Sequence, residues 1–211
     1  MTWHDPTSAP QSPLGDAEAI RRANEDLSHS ASIWHVGPTA PSIAAGGAAK
    51  NLPDWKRWFD TANKLDKIWS PTHSLWITLT PIGNRDDDDG TRAVNSYGNL
   101  TGSGVGPAVT VDTGTGCFID VGVELSNDAS LLAATWCAVA VSGATGRAAQ
   151  DSEAVDEFVV DNGHVISMGK RIYIPAGTLT AGSNVFTMQY KTNGGTATFS
   201  KRHICVTAFP T

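Results

Sequence analysis

Acidic side chains and histidines are the groups of this chain that could bind a metal ion or transfer protons. Four consecutive aspartates, 86–89, lie just before Gly90. If Gly90 were the sixth residue of an EF-hand loop, Arg85 would be the first residue and Ser96 the twelfth, where calcium ligands are required. The run does not fit this template and indicates a solvated loop, with weak calcium binding by its carboxylates as the alternative.

The six histidines show neither an HExxH motif nor the close pairing that is typical of metal ligands. Asp161 could orient His164 for acid–base catalysis. However, Asp161-Asn162-Gly163 is a typical hairpin turn, and His164 begins the strand that follows it. We interpret all six as surface or turn residues: His4, His29, His35, His73, His164 and His203.

Motifs of nucleophilic and phosphate chemistry do not occur in the sequence. There is no GxSxG motif, and the glycine-rich segment 102–106 lacks the Gly-Lys-Ser/Thr ending of a phosphate-binding loop. The paired carboxylates of a glycosidase lie far apart along a chain, and nothing in this sequence selects such a pair. We therefore expect a protein that is not an enzyme and has no cofactor and no metal site.

The three cysteines, Cys117, Cys137 and Cys205, all lie in segments with a strand-like pattern. Their number is odd and they lack CxxC spacing, so neither a disulfide framework nor a zinc site is indicated. We expect them to be buried, chemically inert side chains.

Composition excludes several classes of protein. The chain has 211 residues, of which 40% are hydrophobic and only 17% charged, and its 21 glycines favour a β-rich fold with many turns. A formal net charge of −6 without a basic stripe argues against nucleic-acid binding. No apolar run has the length of a membrane helix, and residues 1–6 lack the pattern of a signal peptide. We therefore expect synthesis and folding in a cytosol and no membrane partner.

The first 71 residues are predicted to form an extended arm with two short helices. The first helix, at 16–27, begins at the N-cap Asp16 and carries Ile20, Ala23 and Leu27 on one face. The chain before it is rich in Pro, Ser and Thr, and residues 28–50 are irregular, so neither segment can build a core.

The second predicted helix, at 54–69, has a tryptophan-rich face. Asp54 can cap it, and Pro71 follows its end. Spacings of 3, 4, 3 and 4 residues place five apolar side chains along one seam. This face could pack on the chain's own β-domain, or against other copies or a host surface, because tryptophan is enriched at interfaces. The seam consists of Trp55, Trp58, Ala62, Leu65 and Trp69.

The period of the apolar residues changes to two at Leu75, which indicates strands. Short alternating segments then recur about every ten residues, separated by turn signals, so residues 72–211 are predicted to form an antiparallel β-sandwich or jelly roll. Within one predicted strand, Phe186, Met188 and Tyr190 should point to the same face. The strand candidates are 75–80, 108–111, 117–125, 132–141, 157–160, 164–174, 185–191, 196–199 and 203–209.

The C-terminal segments 171–191 and 195–206 resemble the ends of small virion proteins of tailed bacteriophages, especially those of actinobacteria. Such proteins are called minor tail proteins, head fibres or capsid decoration proteins, and they are similar to the trimeric tumour-necrosis-factor-like sandwiches. The resemblance covers about residues 110–211. It implies a fold and a location in the virion, and it carries over no catalytic residue.

This resemblance leads us to expect a structural protein of the virion, a homotrimeric capsid decoration module anchored by its N-terminal arm. The alternative is a minor tail or tail-tip protein that binds a host receptor, and a sandwich hydrolase of cell-wall glycans is a third interpretation. Expected partners are other copies, capsid or tail proteins and a host-surface glycan. Candidate residues of the trimer or attachment interface are Trp55, Trp58, Leu65, Trp69, Tyr173, Tyr190 and Phe199. A role in the chain's own core is the alternative for the last three.

Overall fold

The protein is mainly β in the computed structural model, which describes residues 34–40, 57–102, 106–129, 133–159 and 163–210. These residues form strands and one short 3-10 turn at Asp151–Glu153. None of the described residues forms a helix long and apolar enough to cross a membrane. The strands are β1 Trp34–Gly37, β2 Arg57–Asp60, β3 Leu65–Ser70, β4 Leu75–Thr78, β5 Ile82–Asp86, β6 Gly90–Arg92, β7 Ala108–Thr113, β8 Gly116–Asn127, β9 Ala133–Gly143, β10 Val155–Val159, β11 Ile166–Ile174, β12 Gly182–Thr192 and β13 Ala197–Phe209.

Two antiparallel sheets face each other across one apolar core, so the predicted β-sandwich is confirmed. One sheet has the strand order β10-β9-β12-β7, and we call it the covered sheet. The other has the order β11-β8-β13-β5, with β6 also paired to β13, and we call it the open sheet. Alternate residues of each strand enter the core, as period-two patterns require. On β12 these are Phe186, Met188 and Tyr190, all fully buried on the same face, as predicted.

Buried asparagines tie the strands together at both ends of the sandwich. The Asn127 side-chain amide donates hydrogen bonds to the hydroxyls of Thr135 and Thr192, at 3.1 and 3.0 Å. At the other end, the Asn184 amide donates to the hydroxyl of Thr113 at 2.8 Å. Buried polar groups stabilise a fold only when they are paired, so these bonds fix the relative positions of β7, β8, β9 and β12.

The helix predicted at 54–69 is wrong for its described part, because residues 57–60 and 65–70 are strands β2 and β3. They pair antiparallel, and β4 pairs with β3, while β1 adds to β2 in parallel. We call this four-stranded unit the N-terminal sheet. The second helix of the predicted arm is therefore not found among the described residues, and the first, 16–27, lies outside them.

Turn chemistry and aromatic packing explain why a hairpin replaces the helix. The Asp60 carboxylate accepts hydrogen bonds from the backbone N–H groups of Ala62 and Asn63, at 3.0 and 3.2 Å, which closes the turn. Trp58 and Trp69 each pack edge-to-face on Trp76 of β4, with ring centroids 5.6 and 5.5 Å apart. Trp76 lies C-terminal to the predicted helix. The packing of Trp58 and Trp69 on Trp76 therefore favours paired strands, in which aromatic residues pack well across neighbouring strands.

The N-terminal sheet is also joined to the sandwich. Ile77 is fully buried in the main core, and Ile68 and Leu75 pack against it. The domain boundary expected between residues 71 and 72 therefore falls in the turn that connects two paired strands of one sheet.

The last two predicted strands, 196–199 and 203–209, are one strand with a β-bulge. Pairing of β13 with β8 shifts between Ser200 and His203, and Lys201 has a φ of 44°. One extra residue in β13 reverses which positions face the core. Ala197 and Phe199 point inward before the bulge, as do the even-numbered residues after it.

Arg202 is the first inward residue after the bulge and is fully buried. Its guanidinium donates to an Asp86 carboxylate oxygen at 2.6 Å and to the backbone oxygen of Asp88 at 2.8 Å. It also lies over the Tyr190 ring, 5.8 Å from the centroid. The buried cation therefore fastens the acidic loop to the centre of β13.

Replacing Arg202 with Met should lower the free energy of unfolding by about 2 kcal/mol, because the half-buried Asp86 carboxylate loses its charged hydrogen-bond partner. Urea denaturation of the full chain measures this. Adding Asp86→Asn should recover at least about 1 kcal/mol, since the unpaired charge is then removed. The control is Arg171→Met, which breaks an exposed ion pair and should cost less than about 1 kcal/mol. Equal losses for Arg202→Met and Arg171→Met would contradict the assigned role.

Candidate interaction surface

The outer faces of the two main sheets differ in how they are covered. On the covered sheet, the outward residue Ala138 has no exposed surface. Lys191 lies between the rings of Tyr97 and Trp136, with its ammonium 4.9 and 4.4 Å from their centroids, and forms an ion pair with Asp151 at 2.6 Å. These contacts hold the segment around residue 97 over this sheet, which leaves it little surface for a partner.

The outer face of the open sheet, which we call the open face, is exposed along β11, β8, β13 and β5. Cross-strand pairs arrange its outward side chains in successive rows. In the first row Tyr173 pairs with Phe118, and in the second Arg171 pairs with Asp120 and Asp120 with Cys205. The third row is Gly169, Gly122, His203 and Arg85, and the fourth contains Ser167 and Glu124.

An aromatic platform, formed by Phe118, Tyr173 and Phe209, lies at one end of the open face. Ring centroids are 5.4 Å apart for Phe118–Tyr173, 5.3 Å for Phe118–Phe209 and 6.0 Å for Tyr173–Phe209. Tyr173 is 58% exposed and Phe118 37% exposed. Neighbouring exposed rings on a flat sheet form an apolar patch of the kind that marks interaction sites.

Ion pairs border the platform and continue along the open face. Arg171 makes two hydrogen bonds to Asp120, at 2.6 and 2.9 Å, and its guanidinium lies 5.8 Å from the Phe118 centroid. Lys201 donates to Glu124 at 2.9 Å and holds the pKa of that carboxyl below its ordinary value. Both ion pairs are solvent-exposed to some degree, so they orient side chains more than they stabilise the fold.

Between these two ion pairs Gly122 and Gly169 are directly paired, so neither β8 nor β11 contributes a side chain there. The His203 ring lies against Gly122: a Cβ atom on that glycine would be 2.0 Å from His203 Cε1. No real contact is that short, so Gly122 is required for the position of the ring. His203 is itself exposed.

The predicted interface residues are distributed over three environments. Tyr173 lies on the aromatic platform, whereas Tyr190 and Phe199 are fully buried in the core, with their centroids 4.7 Å apart. The side chains of Tyr190 and Phe199 therefore belong to the chain's own core, which was the alternative to an interface role, and they offer no surface to another subunit. Trp58 and Trp69 are buried in the N-terminal sheet and Leu65 is half-buried there. Trp55 lies outside the described residues.

Phe118 and Phe209 belong to the platform but were not among the predicted interface residues. A signal for Phe118 exists in the sequence. Cys117, Ile119 and Val121 share one parity, so Phe118 must point to the opposite face of the same strand. No comparable signal identifies Phe209, because its parity depends on the bulge in β13.

The described residues contain no group of three His, Cys, Asp or Glu side chains arranged to hold a metal ion. In the acidic run, Asp86 pairs with Arg202 and Asp87 pairs with Arg85 at 2.6 Å. Arginines therefore occupy two of the four carboxylates considered for weak calcium binding.

The sequence matches no known protein family and no curated protein. Among solved structures, a protein of infectious bursal disease virus (Gx strain) is 13% identical over 67% of this chain and 38% of its own, with a TM-score of 0.43. The CBM22-1-GH10 modules of a Clostridium thermocellum endo-1,4-β-D-xylanase are 13% identical over 61% and 26%, with a TM-score of 0.32.

A third solved structure, PRD1 vertex protein P5, is 11% identical over 62% of this chain and 97% of its own, with a TM-score of 0.32. This chain spans little more than a third of the length of the bursal disease virus protein. All three TM-scores are below 0.5, so these likenesses to viral and enzyme structures support no functional argument.

The three thiols should differ in reactivity. Cys117 and Cys137 are fully buried, and burial raises the pKa of Cys117 to about 12 and also raises that of Cys137. Cys205 is half-buried on the open face. Maleimide labelling of the folded chain at neutral pH, followed by mass spectrometry, should modify Cys205 first and the other two only on unfolding. Cys205→Ser should remove the fast phase, and fast labelling at Cys117 or Cys137 would refute this assignment.

Proposed function

We propose that the protein is a non-enzymatic structural component of a bacteriophage virion, acting as a homotrimeric capsid decoration module. Support for the virion comes from the resemblance of residues 171–191 and 195–206 to the ends of small phage virion proteins. The observation that carries self-association is the aromatic platform, an exposed apolar patch at one end of a rigid sandwich.

The charge of the open face suits contact between identical subunits. Its three ion pairs are Arg85–Asp87, Arg171–Asp120 and Lys201–Glu124, so three positive charges cancel three negative ones. The whole chain has a formal charge of −6, and most of its surface would therefore repel a second copy. The open face can approach another subunit without that electrostatic repulsion, because its own charges cancel.

The geometry of β11 favours association through the face rather than through the sheet edge. Among the strands that the structure describes, β11 pairs with β8 alone, so it is an edge of the open sheet. At its centre, Lys170 has the same parity as the buried Ile172, but its side chain is exposed and donates to the backbone oxygen of Ala154 at 2.9 Å. A lysine at the centre of an edge strand opposes the addition of another strand there.

In this proposal residues 1–71 anchor the module to the capsid and residues 72–211 project from it. The N-terminal sheet supports such an anchor mechanically, because Ile77 fixes that sheet to the main core. A force on the arm would then be transmitted to the sandwich through packed side chains and not through a flexible linker.

The alternative is a minor tail or tail-tip protein, for which the aromatic platform would be a receptor site. The number of copies per particle distinguishes a capsid decoration protein from a tail-tip protein. Quantitative mass spectrometry of purified particles should give many copies of a decoration protein relative to the major capsid protein, but only a few of a tail-tip protein. A low count would contradict capsid decoration and leave the tail alternative.

Self-association is tested on the full chain by sedimentation equilibrium. We expect a trimer, and we expect the double variant Phe118→Ser with Tyr173→Ser to dissociate it. Central aromatic residues contribute about 2–4 kcal/mol each to an interface. That corresponds to a dissociation constant weakened at least about 30-fold.

The matched control is Val165→Ser, which removes a 56% exposed apolar side chain away from the platform and should leave the trimer intact. Thermal unfolding of each variant checks that the sandwich remains folded. A wild-type chain that is monomeric at micromolar concentration would exclude the trimer. A double variant that stays trimeric would exclude the platform as the subunit contact.

A further inference from the structure

The middle of the open face has a different chemistry from the aromatic platform. Its floor is Gly169 together with the His203 ring, which lies over Gly122 and is exposed. The ion pair Arg171–Asp120 borders the floor on one side, and Glu124 with Lys201 borders it on the other. We call this region the polar trough.

The size of the trough follows from strand geometry. Asp120 and Glu124 lie four residues apart on β8 and point to the same face. At about 3.4 Å per residue, the Cα atoms of Asp120 and Glu124 are roughly 13–14 Å apart, with Gly122 midway between them.

The composition of the trough selects one class of ligand. A protein partner would gain little here, because interface centres are depleted in Lys, Glu and Asp and this region has no apolar side chain on its floor. A nucleic acid would meet as many negative as positive charges, so it would gain no net attraction. A neutral ligand rich in hydroxyl groups matches both the zero net charge and the dense set of donors and acceptors.

We propose that the polar trough binds a neutral oligosaccharide. A pyranose ring would lie over Gly169 beside the imidazole of His203, and its hydroxyls would donate to the carboxylates of Asp120 and Glu124. The guanidinium of Arg171, whose side chain is 66% exposed, would donate to ring or hydroxyl oxygens. Preformed ion pairs hold these groups in place, which reduces the entropy lost on binding.

This site is separate from the aromatic platform, and it does not depend on the location of the protein in the virion. Subunit contact through Phe118 and Tyr173 would leave the trough open, because the trough begins one row further along the sheet. A trimer would then present three such sites, and weak single-site affinity would be increased by multivalency.

Binding can be measured with three probes: maltohexaose, chitohexaose and mannohexaose. Each is titrated into the full chain and followed by calorimetry and by NMR shifts of the His203 ring. We expect at least one probe to bind with a dissociation constant of about 1 mM or tighter, which corresponds to about −4 kcal/mol.

The informative variant is Gly169→Leu, which fills the floor. A Cβ atom there would lie 3.2 Å from the Val121 backbone oxygen and 4.0 Å from the Gly122 Cα atom, so the strand needs only a small adjustment. We expect this variant to weaken binding at least about tenfold and His203→Ala to weaken it about threefold or more. The control Thr110→Leu adds the same side chain to an exposed position of the covered sheet and should leave binding unchanged.

Two results would overturn the proposal. One is that none of the three probes binds the folded wild-type chain. The other is that a probe binds but Gly169→Leu, with unchanged thermal unfolding, binds it equally well. Sedimentation of Gly169→Leu distinguishes this failure from that of the trimer: loss of the trimer in this variant, without glycan binding in the wild type, would make the trough a protein contact.

Discussion

The ion pair between Arg202 and Asp86 is the interaction on which the sandwich depends most. It lies at the centre of β13, which pairs with β8, β5 and β6 and so holds the open sheet together. A guanidinium without exposed surface is costly to desolvate unless a carboxylate and further acceptors meet it. The acidic loop at 86–89 supplies the Asp86 carboxylate and the Asp88 backbone oxygen to Nη2 of this guanidinium, whereas its Nε and Nη1 have no hydrogen-bond partner among the described residues.

The β-bulge that turns Arg202 inward also decides which residues of β13 form the interaction surface. Lys201 adopts a left-handed backbone conformation, with a cost of about 1–2 kcal/mol, and the extra residue of the bulge lets Arg202 turn inward. From that point His203 and Cys205 face solvent, while Ile204 and Val206 enter the core. A regular strand would reverse this assignment, because a shift of one residue exchanges the two faces. The polar trough is therefore a consequence of the bulge.

Most of the sandwich could be predicted from sequence because its strands are long and their alternation is regular. β8, β9, β11 and β12 were located within a few residues of their observed bounds. The hairpin of the N-terminal sheet could not, because apolar residues at spacings of three and four also fit two short strands once Trp58 and Trp69 pack on Trp76. Of the three residues of the aromatic platform, only Tyr173 is among the interface candidates that the sequence predicts. Its assembly with Phe118 and Phe209 depends on strand pairing and on the bulge, which local periodicity does not encode.

The open face combines two chemistries that need different neighbours. Aromatic rings at one end gain free energy by losing water, so they suit a contact that excludes solvent. The middle of the face keeps its charges paired and hydrated, and it gains from a ligand that replaces water with equivalent hydrogen bonds. Both regions lie on the same three strands, β11, β8 and β13, whose inward residues form the core. The rigidity that the core gives to these strands keeps the apolar and polar regions at a fixed separation, so assembly of subunits at one end would position the other end without closing it.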